Sequence, residues 1–363
     1  MNNPEQKTQI HPVVNSYNEW DLLEEVIVGV IEGACVPDWH ITVKATMPEK
    51  QWGFFQEYSG KPFPSEHIGA AARDLEEFVH ILEAEGVMVR RPEKIRCDKP
   101  YSTPDWQCAC GLYSAMPRDL LLVIGDEIIE TPMPWRSRYF EVNAYRPLLT
   151  EYFKKGARWT AAPKPQLTDE LYNPDYQDKG YSKDMTYAIT EFEPTFDAAD
   201  FVRCGKDLFV QKSHVTNRLG IEWLRRHLGE RFTIHEVEVV DSHPMHIDTS
   251  FMPLAPGKLL VHPERIKTIP KMFKSWDVLY APEPNKTIKR TLYMSSAWVS
   301  MNVFMLDHER VIVEKNEADF IKALKNFGLK PIPCNFINFN AFGGAFHCAT
   351  LDIRRRGELQ SYF

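Results

Sequence analysis

The sequence predicts an α/β fold of repeated hairpin–helix–strand units, and three observations carry that expectation. Apolar runs occur in pairs across short turn signals. An amphipathic helix usually follows each pair. A glycine then closes the helix ahead of another short strand, as suits a left-handed helix end. Helix-end signals recur about every 50–70 residues, a period that marks a repeat architecture. About five such units can form a closed ring of small sheets, as in a propeller, or stack as a plain α/β sandwich. The spacing alone does not separate the two.

Each hairpin has a turn to name. Leu120–Ile124 turns at Gly125-Asp126 into Glu127–Glu130, and Asp200–Val202 turns near Gly205-Lys206 into Asp207–Gln211. Phe251–Leu254 turns at Pro256-Gly257-Lys258 into Leu259–His262, and Met301–Leu306 turns at Asp307-His308-Glu309 into Arg310–Glu314. The helices follow at Ile68–Ala84, Phe140–Lys155, Thr216–Leu228 and Glu317–Phe327, each closed by a glycine and leading to a strand. A fourth-unit helix is expected near Glu264–Phe273, without a closing glycine. Two long polar, aromatic, proline-containing stretches, Thr42–Pro64 and Pro163–Phe192, read as loops, and loops of that length tend to carry function. No low-complexity linker divides the chain, so residues 1–363 read as one domain, with 1–13 a flexible N-terminal segment.

Composition narrows the function. The chain has 363 residues and a net charge of −7, which disfavours nonspecific binding to nucleic acid or to an anionic membrane. No apolar stretch is long enough to span a membrane, and the polar N-terminus shows neither an export signal nor a transit peptide, so a cytoplasmic location is expected. Seven scattered cysteines do not form a secreted disulfide framework. The lone Cys108-Ala-Cys110 pair lacks the partners a zinc site needs, and no metal site is expected. No glycine-rich nucleotide loop is present.

Four short segments where units begin combine reactive side chains with small residues. In Phe342-Gly343-Gly344-Ala345-Phe346-His347-Cys348, the glycine pair allows a tight bend and Cys348 is a potential thiolate nucleophile. The adjacent His347 points to the opposite face of an extended chain and makes a poor partner for it. In His243-Pro244-Met245-His246-Ile247-Asp248, residues 246 and 248 share a face and could protonate a leaving group and hold a cation. Asp197, in Phe196-Asp197-Ala198-Ala199-Asp200, is placed to orient an imidazole. Asp105, in Thr103-Pro104-Asp105-Trp106, could meet a cation or simply close a turn. Arg265 and the Ser295-Ser296 pair suit an anionic substrate end. A buried structural cysteine, a polar strand edge or a turn remains open for each of these segments on its own residues.

Together the segments resemble the arginine:glycine amidinotransferase family. The resemblance runs from Asn15-Ser16-Tyr17-Asn18-Glu19-Trp20-Asp21 through Gly111-Leu112-Tyr113-Ser114-Ala115-Met116-Pro117-Arg118-Asp119, Glu191-Phe192-Glu193-Pro194, Gly220-Ile221-Glu222-Trp223 and Pro244-Met245-His246-Ile247-Asp248 to Arg354-Arg355-Arg356-Gly357, nearly the whole chain. It implies a five-fold pseudosymmetric α/β propeller, the pentein fold. It implies that Cys348 is the nucleophile, His246 the general acid/base and Asp197 the acid that orients it. By the same resemblance Asp105 and Asp248 grip a guanidinium, Arg265, Ser295 and Ser296 hold the substrate carboxylate, and Met245 lines the pocket. The amidino group of L-arginine would pass through the cysteine to an amine, releasing L-ornithine, with no metal or organic cofactor. A homodimer is a further family expectation.

The acceptor stays open between glycine, which would give guanidinoacetate, and a larger amine of natural-product biosynthesis. Ala349, His243 and Thr249 stand where glycine-using members carry a bulky aromatic, an amide and a smaller residue. Strand alternation from Cys348 would turn position 349 away from the site. An arginine hydrolase of the same fold, giving citrulline, and a catalytically dead binding protein are the rivals from other classes.

Overall fold

The structure, a computed structural model, describes residues 12–182, 184–290 and 293–363. Most of the expected N-terminal segment therefore lies outside the described residues. Among the described residues, five three-stranded sheets share one plan: an antiparallel pair, then a third strand running parallel to the second. Four sheets follow the chain in order. They are Leu121–Ile124, Glu127–Glu130 and Arg158–Ala161; Phe201–Cys204, Asp207–Val210 and Thr233–Glu236; Phe251–Ala255, Lys258–Val261 and Asp277–Tyr280; and Phe304–Met305, Arg310–Glu314 and Lys330–Cys334.

The remaining sheet joins the two ends of the chain. Leu22–Val28 pairs antiparallel with Thr350–Arg356 and parallel with Met88–Arg90. No turn signal could announce this pair, because its strands lie at opposite ends of the sequence. Val14–Trp20 then stitches units together: Asn15 bridges to Arg354, Ser16 to Gly125 and Asn18 to Cys204.

Parallel pairing requires a crossover, and the helices supply it. Ser65–Ala84 buries Ala71, Leu75, Phe78, Val79 and Leu82 at helical spacing, and Gly86 follows at φ 85°. Arg146–Lys154, Arg218–Leu228 and Ala318–Asn326 do the same work in their units. In Arg218–Leu228 the Asn217 side chain caps the first turn by accepting from the Gly220 N–H. The fourth unit departs from the expectation. In place of a helix over Glu264–Phe273 there is a 3-10 turn, Lys271–Ser275, that begins directly after Pro270. Pro270 lies inside the expected helix, where its ring and missing N–H break the backbone ladder. The stretch Thr42–Pro64 is also not plain loop: it holds short helices at Ile41–Thr46 and Trp52–Tyr58.

A buried charge cluster sits where the first strands converge. Asp352 accepts from Arg203 Nη2 at 2.6 Å and Arg355 Nε at 2.7 Å, and it pairs with Arg118. Arg203 also donates to Glu19 at 2.8 and 2.7 Å, to Ser16 Oγ at 2.8 Å and to the Val123 carbonyl at 3.0 Å. Burial opposes charge on Asp352 and Glu19, but the surrounding arginines outweigh it and hold both well below the usual carboxylate range. Removing one partner strands the others without solvent. Asp352→Asn is expected to destabilise the protein by about 3–5 kcal/mol, read as a lower midpoint in urea unfolding.

Candidate active site

Every unit delivers a reactive or polar side chain from the short turn that leads into its first strand. Asp119 precedes Leu121, Asp197 precedes Phe201, His246 and Asp248 precede Phe251, Asn302 precedes Phe304, and Cys348 precedes Thr350. These turns pack on one another, so residues far apart in sequence meet at one point. A cavity of about 250 Å³ opens there. Its lining includes Met245, His246, Asp248, Arg265, Ser295, Ser296 and Cys348. Asp119 and Asp197 lie behind His246, both buried.

His246 stands between two carboxylates. Its Nε2 is 3.1 Å from Asp197 Oδ2, and its Nδ1 is 3.7 Å from Asp119 Oδ1. Its backbone has φ 58°, in the left-handed region that costs a non-glycine residue about 1–3 kcal/mol. The paired carboxylates hold the ring there. Burial works against the imidazolium, but Asp119, then Asp197 and Cys348, raise the His246 pKa well above its ordinary value. Asp197 is itself pushed up to about 6 by burial, against the pull of His246.

Cys348 is fixed from the neighbouring unit. Its N–H donates to Asn302 Oδ1 at 2.9 Å, and the Ala345 N–H donates to the same oxygen at 3.2 Å. Gly344 makes the bend possible, since a Cβ there would lie 2.6 Å from the Cys348 Cβ and 2.9 Å from Met116 Sδ. The thiol donates to Asp248 Oδ2 at 3.6 Å. Burial, then the Asp248 charge, pushes the thiol up to about 12, while the hydrogen bond to His246 opposes them. Asp248 Oδ2 also accepts from Asn302 Nδ2 and His347 Nδ1, both at 2.7 Å. Burial favours the neutral acid, but His347 leads the groups that draw the Asp248 pKa down. His347 and Cys348 lie in a turn and not in an extended segment, so strand alternation does not apply: both reach Asp248 Oδ2, and His347 Nε2 lies 3.2 Å from Glu19 Oε2.

The expected residues fare differently. Cys348, His246, Asp197 and Asp248 converge, and Met245, Arg265, Ser295 and Ser296 line the cavity. Arg265 pairs with Asp241 at 3.0 Å and donates to Thr249 Oγ1 and Ser250 Oγ, both at 3.4 Å. Asp105 does not join them. It is exposed, in the turn between Tyr101–Ser102 and Gln107–Cys108, where its N–H donates to Thr103 Oγ1. The turn reading of that segment is the correct one.

The carboxylate that does face the thiol is Asp119. A carboxylate oxygen of Asp119, a ring nitrogen of His246 and Cys348 Sγ all lie within 4.8 Å of one another. Arg138 Nη1 donates to Asp119 Oδ2 at 2.9 Å, and Arg138 Nε donates to Glu141 at 2.9 Å. Asp119 had a signal in the sequence, since it stands just ahead of a first strand as Cys348 does. Asn302 did not, because the apolar pattern puts it inside the expected strand Met301–Leu306, whereas the strand observed is Phe304–Met305.

Three buried carboxylate oxygens, Asp119 Oδ1, Asp197 Oδ1 and Asp248 Oδ1, have no hydrogen-bond partner. Orphaned acceptors around a thiol are suited to a cation with several N–H groups.

No family model matches the chain. Whole-chain relatives do. The chain is 54% identical over 354 residues to the L-arginine:L-lysine amidinotransferase of Pseudomonas savastanoi pv. phaseolicola, covering 98% of this chain and 97% of that protein. It is 50% identical over 358 residues to the mitochondrial glycine amidinotransferase of Gallus gallus, covering 96% and 85%. Among solved structures, SxtG, an amidinotransferase of the saxitoxin biosynthetic pathway in Microseira wollei, superposes with a TM-score of 0.93 at 55% identity, covering 96% and 99%. The dimethylarginine dimethylaminohydrolase of Pseudomonas aeruginosa, at 14% identity and a TM-score of 0.54, shares the fold alone.

Two outcomes are expected. Asp119→Asn should lower kcat/KM for arginine about 10²–10³-fold through loss of a charge aimed at the reacting cation, while Asp105→Asn should leave it within about twofold. The pH profile follows from Asp197. Because its pKa is raised to about 6, it is charged above that pH and neutral below it, so kcat/KM should fall as pH drops through about 6 rather than near 4. Asp197→Asn should remove that acid limb in a pH titration of the rate.

Proposed function

The chain belongs to the amidinotransferase family and has the pentein fold of that family, and from this premise we propose that it passes the amidino group of L-arginine through Cys348 to an amine. The observation that carries the proposal is the convergence of Cys348, His246 and Asp119 beside the unpartnered oxygens of Asp119 and Asp248. A guanidinium is planar and resonance-stabilised, hence a poor electrophile. Two carboxylates fix its plane by charge-assisted hydrogen bonds and present its carbon to sulfur. Arg265, Ser295 and Ser296 are placed to hold the far carboxylate of the substrate.

The steps follow from the charges. With the cavity empty of cation, the buried thiol keeps its proton. The arriving guanidinium offsets the negative charge around Sγ, and the thiol proton passes to solvent as it binds, to be taken back when the product guanidinium leaves. The thiolate attacks the guanidinium carbon. The C–N bond to the ornithine side chain breaks, and its nitrogen takes a proton from the His246 imidazolium. The amidino group now rides on sulfur. The acceptor amine attacks it, His246 takes the amine proton, the C–S bond breaks, and the thiolate returns. Asp197 keeps His246 oriented through both transfers.

Thr46, Met47, Pro48, His243 and Thr249 also line the cavity. Ala349 is fully buried and does not line the cavity, so its small size does not widen it. Glycine remains the first reading. A larger amine is the second, favoured by His243 and Thr249, which add polar groups to the cavity lining. A single domain, a homodimer and a cytoplasmic location belong to the same proposal. No helix among the described residues is long and apolar enough to cross a membrane.

The test is turnover of arginine with glycine, with lysine and with no acceptor, followed by mass spectrometry. Steady guanidinoacetate with glycine establishes the first reading. Steady transfer to lysine alone establishes the second. Without acceptor, one equivalent of ornithine and an amidino adduct on Cys348 are expected, and sustained citrulline would sink the transferase mechanism.

A further inference from the structure

In the proposed reaction Arg265, Ser295 and Ser296 stand at the substrate carboxylate, and one buried histidine supports both elements that carry them. His262 follows the strand Lys258–Val261 and is 2% exposed. Pro263 comes next and brings no N–H, so the first two donors of the turn belong to Glu264 and Arg265. Both donate to His262 Nδ1, at 3.1 and 3.3 Å. The Arg265 carbonyl accepts from the Val240 N–H at 2.8 Å, which holds the other side of the same residue.

The ring meets the serine turn as well. Its centroid is 4.0 Å from that of Trp298. The Trp298 N–H donates to Ser296 Oγ at 3.3 Å, so the residue packed on the imidazole also fixes the serine. An Nδ1 that accepts two N–H groups carries no proton. Burial, then the Arg265 charge, lowers the His262 pKa to about 4, and the acceptor therefore persists at neutral pH. From the turn so held, the Arg265 side chain reaches Asp241 at 3.0 Å and joins the lining of the catalytic cavity. A long side chain is placed only as well as the backbone that carries it.

We propose that His262 is a positioning residue for recognition of the substrate carboxylate: its Nδ1 sets the turn from which Arg265 reaches the cavity. His262 is not among the residues that line the cavity and acts through Arg265. Without the acceptor two N–H groups of the turn lose their partner, the Arg265 backbone relaxes, and the affinity drawn from the carboxylate is lost. The guanidinium end of the substrate is bound as before. The proposal rests on the carboxylate role proposed for Arg265.

The test compares arginine with agmatine, which is arginine without its carboxylate, by ligand-observed NMR titration into the full chain carrying Cys348→Ser. Arg265→Ala sets the scale: it should weaken arginine by about tenfold or more and agmatine by less than about twofold. His262→Phe keeps a ring against Trp298 and removes the acceptor. It should weaken arginine roughly five- to tenfold and leave agmatine within about twofold. His262→Asn restores a short-armed acceptor and should hold arginine within about threefold of the parent. If His262→Phe does not fold, His262→Ala takes its place with the same expected values. Equal losses for arginine and agmatine would make the histidine merely structural and overturn the proposal. Unchanged arginine binding without the acceptor, or a loss in folded His262→Asn as large as in His262→Phe, would overturn it too. Arg265→Ala acting alike on both ligands would overturn the carboxylate role of Arg265 and this proposal with it, whereas a selective Arg265→Ala beside a silent His262→Phe overturns this proposal alone.

Discussion

The charge cluster around Asp352 is the interaction on which the rest of the molecule depends. It draws on several parts of the fold at once: Arg118 and Arg203 from two hairpin units, Asp352 and Arg355 from the last strand, and Glu19 from the N-terminal stitch. Each group is almost fully buried. Such a cluster adds little net stability over apolar packing, because desolvation consumes most of the attraction. It does penalise any arrangement in which one member is missing. The strand at the end of the chain is thereby held against the segments that begin it.

The cluster is also the floor of the catalytic centre. His347 touches Glu19 on one side and Asp248 on the other, so the acid beneath the thiol is set by charges that never meet substrate. Asn302 completes the support by fixing both Asp248 and the Cys348 backbone. Above this floor the balance favours a cation. Asp119, Asp197 and Asp248 surround one imidazole and one thiol, and burial and the Asp248 charge push the thiol pKa up. On the proposed mechanism, nucleophile activation is coupled to recognition of the substrate.

Much of this was legible in the chain. Four hairpins, three of them followed by a glycine-closed helix, follow from turn chemistry and apolar period, which act over a few residues. The unit formed by Leu22–Val28 and Thr350–Arg356 was not legible, because nothing local links strands so far apart. The fourth helix failed at Pro270, a local signal that the apolar period had masked. Asp105 and Asp119 show the same limit in the site. Both are acids beside a proline or arginine, but only Asp119 stands at the start of a strand that reaches the centre, while Asp105 closes an exposed turn.

The sequence by itself determined the repeated unit, the kind of chemistry its reactive residues support and, through resemblance, the family, and it nominated Cys348, His246 and Asp197 for the catalytic roles. These rest on side-chain types and short-range backbone preference, which each segment carries with it. Tertiary structure alone decided which carboxylates face the thiol, that Ala349 is buried outside the cavity, and that Arg138 anchors Asp119. Those outcomes depend on how five separate turns pack against one another, and burial and charge act there between residues that no local signal connects.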